Sequence, residues 1–285
     1  MPATGFPRLR CPACAASLGA AGNSPLRCPT CGQEYGHTGG IPALLVAHSS
    51  PAWRGYFDSL PSGPARHEPG YAPEGVPGAG LQLRILARAF ARAASRWIPA
   101  GARILDVGCG RGSLLAPLAQ RHSLFGVDFS PAMLARARER GYRVFQADAL
   151  ALPFESGQFE AVVCAEVVQV VDDPARLLAE LARVCRAGGC VMVSTLNRRS
   201  MLRKAYRAIQ SRIRPGPFRL PIRSRSPTEL VKAAPAALLE SAGVAWVLSP
   251  SRQVVFTAAL DGQVAPLASN FILCFRRPRA AGDAG

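Results

Sequence analysis

Residues 103–112, RILDVGCGRG, set an acid and three alternate glycines behind a short apolar run. Glycine enters the positive-φ region without steric cost, so Gly108, Gly110 and Gly112 predict a tight turn. The turn should end a buried strand over 104–107 and lead into a helix starting near Ser113. Backbone amides left free in such a loop favour an anionic or nucleotide ligand, which restricts the fold to strand–loop–helix units.

The next segments repeat that plan. SLFGVDFS supplies a second strand ending at Asp128, 22 residues beyond Asp106, where an acid is placed to accept hydrogen bonds from ribose hydroxyls. FQADALALPF supplies a third, ending at Asp148 and Ala149, where an acid can meet an adenine amino group. A dinucleotide loop reads G-x-G-x-x-G and must accommodate a pyrophosphate, which Asp106 would repel. The acid suits a ligand with an ammonium group, such as the methionine end of S-adenosylmethionine.

Five stretches in order, DVGCGRG, GVDFS, ADALALPF, FEAVVCAEVVQVVDDP and LLAELARVCRAGG, resemble the class I S-adenosylmethionine-dependent methyltransferases over residues 103–195. The likeness is to the broad group typified by quinone-biosynthesis enzymes. It implies that Asp106, Gly108 and Gly110 hold the methionine part, Asp128, Phe129 and Met133 the ribose and adenine, and Asp148 and Ala149 the adenine. Ala165 and Glu166 would border the methyl group, with Glu166 the one weak candidate for a catalytic proton acceptor. Core packing at helical spacing is an equally good account of Phe129 and Met133. Where the quinone-type enzymes carry a Glu-His pair, this chain has Gln169 and Val170, which argues against a quinone-pathway substrate.

Alternation of strand and helix requires parallel pairing and right-handed crossovers. The expected fold is therefore α/β, a Rossmann-like seven-stranded, mostly parallel sheet with helices on both faces. Strands are expected near 103, 124, 143, 160, 190, 244 and 271, the last antiparallel by resemblance. SPTELVKAAPAALLESAGV predicts a helix with Ser226 as N-cap, Pro227 at its first position and Glu229 completing a capping box.

Ahead of this domain, CPAC and CPTC place Cys11, Cys14, Cys28 and Cys31 as two knuckles 13 residues apart. Four thiolates at this spacing predict a closed, structural Zn²⁺ site that folds a segment too small for its own core. Disulfides are disfavoured in a reducing compartment. With an apolar strand over 41–46, residues 10–47 resemble the small zinc-ribbon proteins that bind and stabilise partner methyltransferases. His37 reads as a surface histidine. Cys109, Cys164, Cys185, Cys190 and Cys274 read as buried small hydrophobes.

The domain plan is thus a zinc ribbon over 1–48, a Pro/Gly-rich linker over 49–80, and a methyltransferase domain over 81–280. Residues 81–98 predict an amphipathic helix whose other face carries Arg84, Arg88, Arg92 and Arg96. After the fifth strand, a segment over 198–225 holds ten basic residues and no acid. It predicts a basic amphipathic helix, suited to a substrate lid, a peripheral membrane contact or an RNA contact.

The net charge of +16 sits on the flanks: residues 101–195 carry 10 basic and 10 acidic groups, whereas 196–285 carry 15 and 4. Such a field suits several anionic partners and selects none. No 18-residue window is apolar enough for a transmembrane segment and no secretory leader is recognisable, so a cytoplasmic location is expected. The leading reading is methyl transfer to oxygen, nitrogen or carbon of a small-molecule or lipid acceptor. An RNA methyltransferase is the alternative, and a non-catalytic cofactor-binding scaffold the third.

Overall fold

The computed structural model describes residues 5–20, 26–46, 79–201, 204–205, 223–236, 239–248, 253–257 and 265–279. Residues 49–78 of the linker expected over 49–80, and residues 202–203 and 206–222 of the basic segment, lie outside the described residues.

Chain order gives β1 (Arg8–Arg10), β2 (Ser17–Ala20), β3 (Leu26–Arg27), β4 (Glu34–Tyr35), β5 (His37–Thr38) and β6 (Ile41–Leu44) in the cysteine-bearing segment. Then follow α1 (Ala79–Trp97), β7 (Arg103–Val107), β8 (Ser123–Asp128), α2 (Pro131–Glu139), β9 (Arg143–Ala147), β10 (Phe159–Ala165), α3 (Pro174–Val184) and β11 (Cys185–Leu196). The chain continues with α4 (Pro227–Ala233), β12 (Glu240–Leu248), β13 (Gln253–Thr257) and β14 (Ala268–Arg276).

All seven expected strands form, in the order β12-β14-β11-β10-β7-β8-β9. β7 to β11 run parallel, and β14 is antiparallel to both β11 and β12. Among the described residues the sheet nevertheless has ten strands, not seven. β13 extends the β12 edge as an antiparallel hairpin, and β6, followed by β5, extends the β9 edge. β6 pairs parallel to β9 with Ala43 opposite Gln146 and Leu44 opposite Ala147, so the cysteine segment ends inside the large sheet.

The central strands read as continuous apolar runs because both faces are covered. On one face Leu105, Val107, Phe125, Val127 and Phe145 pack with Leu177, Leu178 and Leu181 of α3. On the other Ile104, Leu124 and Val144 pack with Leu86, Phe90 and Ala93 of α1. Leu9, Tyr35 and Leu44 of the cysteine segment join the first cluster, beside the edge-to-face ring stack of Phe145, Phe154 and Phe159.

Helices α2, α3 and α4 each start with a polar cap followed by proline: Ser130-Pro131, Asp173-Pro174 and Ser226-Pro227. The expected capping box forms, with the Ser226 side chain accepting from the Glu229 N–H and Glu229 from the Ser226 N–H. The helix expected from Ser113 does not form. Only a 3-10 turn over Ala116–Leu118 is present, because Pro117 lacks the N–H that a helix would direct at Ser113.

Candidate functional site

The order β9-β8-β7-β10 lines up four strand ends on one edge of the sheet, and each ends in an acid or a residue next to one. These are Asp148, Asp128, Asp106 and, after Ala165, Glu166. Between β7 and β10 the strand order reverses, and a parallel α/β sheet opens a crevice at that point, on its carboxyl edge.

Gly108, Gly110 and Gly112 all adopt positive φ, as the loop requires. A Cβ on Gly108 would lie 2.1 Å from Val167 Cγ2, so only glycine fits there. The Gly110 N–H donates to Asp128 Oδ2 at 2.9 Å and the Ser130 N–H to Asp128 Oδ1 at 3.0 Å, which fixes this carboxylate against the loop. Phe129 is half-buried and its carbonyl accepts from Gln146 Nε2 at 2.9 Å. Met133 is buried on α2, and Ala149 packs against the first core cluster. The Asp148 carboxylate accepts from the Leu150 N–H at 2.8 Å.

Asp106 is only 2% exposed, and the Tyr142 hydroxyl donates to its Oδ2 at 3.2 Å. Burial pushes its carboxyl up to about 7, the Tyr142 bond opposes this, and the Asp128 charge adds to it. A buried acid with a single side-chain hydrogen bond fits a ligand that brings an ammonium group, whereas the amides expected to be free in the loop are engaged: Gly108 and Cys109 N–H donate to the Val127 carbonyl, Gly110 N–H to Asp128 and Gly112 N–H to the Cys109 carbonyl.

Glu166 is buried and holds φ of 63°, a left-handed conformation uncommon for a side chain of this size. Its Oε1 accepts from Ser194 Oγ at 3.1 Å and Asn270 Nδ2 at 3.2 Å, and its backbone N–H donates to the Ser194 carbonyl. Gln169 is buried and its Oε1 accepts from Thr195 Oγ1 and the Leu196 N–H, so it ties the segment after β10 to β11. Tyr142, Val167, Ser194 and Asn270 were not singled out in the sequence. Ser194 and Asn270 carried a signal: each is polar inside an apolar strand, where a buried donor needs a partner.

The four N-terminal sulfurs lie within 4.8 Å of one another. Cys11 Sγ is 3.7 Å from Cys31 Sγ, and Cys14 Sγ is 3.5 Å from Cys28 Sγ. A tetrahedral site with bonds of about 2.3 Å has sulfur–sulfur edges of about 3.8 Å, so the set could hold such an ion. Backbone N–H groups of Cys31 and Thr30 draw the Cys28 thiol down to about 6, against burial. The Tyr35 hydroxyl lies 3.0 Å from Cys11 Sγ. His37 is exposed and outside the cluster, and the other five cysteines are buried.

Residues 105–193 match the methyltransferase-domain family. Over 101 residues this domain region is 42% identical to a phosphatidylethanolamine N-methyltransferase of Cereibacter sphaeroides, a match covering 33% of this chain and 50% of the relative. Over 108 residues it is 39% identical to a ubiquinone biosynthesis O-methyltransferase of Methylococcus capsulatus, covering 35% and 45%. The chain thus spans about half the length of the curated relatives it matches. In fold, the domain is similar to an S-adenosylmethionine-dependent methyltransferase of Thermotoga maritima described as a possible histamine N-methyltransferase. That likeness has a TM-score of 0.56 at 24% identity and covers 69% of this chain and 91% of the other. Among the described residues, no helix of the chain is long and apolar enough to cross a membrane.

Proposed function

We propose that the chain is an S-adenosylmethionine-dependent methyltransferase acting on oxygen, nitrogen or carbon of a small or lipophilic acceptor. The carrying observation is the row of carboxylates at adjacent strand ends, with Asp106 buried beside a left-handed glycine loop. S-adenosylmethionine, when bound, supplies a methyl group already activated on its sulfonium. In this reading Asp106 accepts from the cofactor's ammonium, and Gly108 and Gly110, which carry no side chain, let its methionine part approach the loop backbone. Asp128 accepts from the ribose hydroxyls, with Phe129 and Met133 lining the ribose and adenine. Asp148 and Ala149 meet the adenine edge.

Ala165 and Glu166 border the methyl group. Glu166 is committed to Ser194 and Asn270, which suits a wall that orients the acceptor better than a group that takes a proton. The domain's work is then to align the acceptor and exclude water.

Cys11, Cys14, Cys28 and Cys31 hold a structural Zn²⁺ with no open position, so the ribbon over 1–48 supports the domain over 81–280 and does no chemistry. The acceptor is read as a small molecule or a lipid because the two curated relatives are named for a phospholipid and for ubiquinone biosynthesis. The RNA reading of the basic flanks gains no support from either.

The test is to incubate the protein and Asp106→Ala with methyl-labelled S-adenosylmethionine and a cell extract split into RNA, lipid and small-molecule fractions. Label should enter the lipid or small-molecule fraction and disappear with the variant. Label confined to RNA would sink the acceptor class. Binding of cofactor with no transfer to any fraction would sink the enzyme. Metal analysis after dialysis should find one zinc per chain.

A further inference from the structure

The arginine stripe on α1 is not used at the cofactor edge. Its last member, Arg96, lies at the opposite edge of the sheet, where a pocket of about 360 Å³ opens between α1 and the first residues of β10 and β11. Arg96, Arg186, Arg276 and Arg279 line it, with Trp97 and Glu160. Glu160 is the second residue of β10 and Glu166 follows its last, so the pocket lies roughly 20 Å from the methyl-transfer edge.

Three of the guanidiniums are held by contacts of their own, and Arg279 is placed by its stem. Arg96 lies over the rings of Trp97 at 5.7 Å and Phe256 at 5.9 Å. Arg186 Nη1 sits 3.4 Å from Glu160 Oε1, whose partner oxygen accepts from the Arg103 N–H at 2.7 Å. Arg276 Nη1 donates to the Gly188 carbonyl at 3.4 Å, and the stem of Arg279 lies across Gly188, where a Cβ would meet its Cγ at 3.3 Å. The Gly188–Gly189 turn is itself pinned to the end of β14 by paired bonds with Arg277.

Among the described residues, no carboxylate pairs with Arg96, Arg276 or Arg279. Four positive groups against one acid leave a charge of three in one concavity. We propose that this pocket is a binding site for a phosphoryl dianion, carried by a soluble phosphate compound or by a phospholipid headgroup. Guanidinium forks match phosphate oxygens two at a time, and a dianion offsets the excess charge better than a carboxylate does. Trp97 and Ile98 give the site an apolar wall for the body of a phosphate ester.

The probes are inorganic phosphate, pyrophosphate and acetate, titrated into the intact protein by calorimetry at low, matched ionic strength. The variant is Arg96→Gln with Arg279→Gln, two exposed heads whose loss leaves the core intact. Its melting temperature and cofactor affinity should match the parent's. Phosphate and pyrophosphate should bind the parent about tenfold tighter than the variant, and acetate should not bind. A second arm floats both proteins with phosphatidic acid vesicles or phosphatidylcholine vesicles. Flotation on phosphatidic acid that the variant loses assigns the phosphoryl group to lipid, and phosphate binding without flotation assigns it to a soluble compound. Equal phosphate affinity in parent and variant, or phosphate no tighter than acetate in the parent, overturns the proposal.

Discussion

Gly108 combines a φ of 72° with a neighbour, Val167 Cγ2, 2.1 Å from where a methyl would stand. Gly108→Ala therefore meets both backbone strain and overpacking, together about 2–6 kcal/mol. Thermal melts should show the loss, and calorimetry should show S-adenosylmethionine binding abolished. Adding Val167→Ala removes the colliding carbon and should recover the packing part of the stability alone, because the φ strain stays. Full recovery would mean the left-handed loop is not required. Asp106 makes a prediction about pH. Its folded pKa of about 7 lies above the unfolded value of about 4, so the cofactor-free protein keeps this group's contribution below pH 4 and loses it as pH rises to 7. An ammonium ligand prefers the ionised acid, so cofactor affinity should run the opposite way and rise through about pH 7. Asp106→Asn should flatten that limb in a titration series. An unchanged limb would place the titrating group elsewhere.

At the scale of elements, the segment after β9 carries Asp148 and is held from two sides. From α3, Arg183 Nη2 donates to the Leu152 carbonyl at 2.9 Å, and the Glu180 carboxylate accepts from the Leu152 N–H at 2.7 Å. From the ribbon, the Arg10 N–H donates to the Pro153 carbonyl and the Glu155 N–H to the Arg8 carbonyl, both at 3.0 Å. Loss of the ion proposed for the four cysteines should release the second clamp. Chelation, or Cys14→Ala with Cys31→Ala, should speed hydrogen exchange at Arg10 and Glu155 and weaken cofactor binding about tenfold. Unchanged exchange at those amides would make the ribbon a passenger. The seven core strands were legible because apolar runs and punctuating glycines are local signals. The capping box was legible for the same reason. The missing helix after the glycine loop was also written locally, in Pro117, which the expectation of a helix from Ser113 did not take into account. The pairing of β6 with β9 joins residues about a hundred positions apart, and nothing in either strand's own pattern names its neighbour. Likewise the Tyr142–Asp106 and Asn270–Glu166 bonds are long-range partnerships that only the sheet order creates.

For the whole molecule, the ten-stranded sheet of the described residues makes the cysteine-bearing segment and the α/β unit that follows it share one core. Leu9 and Leu44 are fully enclosed among Phe145, Phe154 and Phe159, and β6 covers the hydrogen-bonding edge of β9. Removing residues 1–46 would expose that edge and an aromatic cluster together, a template for pairing between chains. The truncated chain should therefore aggregate in gel filtration and light scattering at concentrations where the intact chain is monodisperse. A gentler perturbation separates lost packing from lost pairing. Leu9→Ala keeps the backbone bonds of β1 and leaves a cavity beside Phe154, at a cost of about 2–5 kcal/mol. If core sharing holds the two parts together, this one ribbon substitution should lower a single melting transition seen by both near-ultraviolet circular dichroism and cofactor protection. Two separated transitions, with only the earlier one moved, would show that the ribbon unfolds on its own and that the domain does not depend on it.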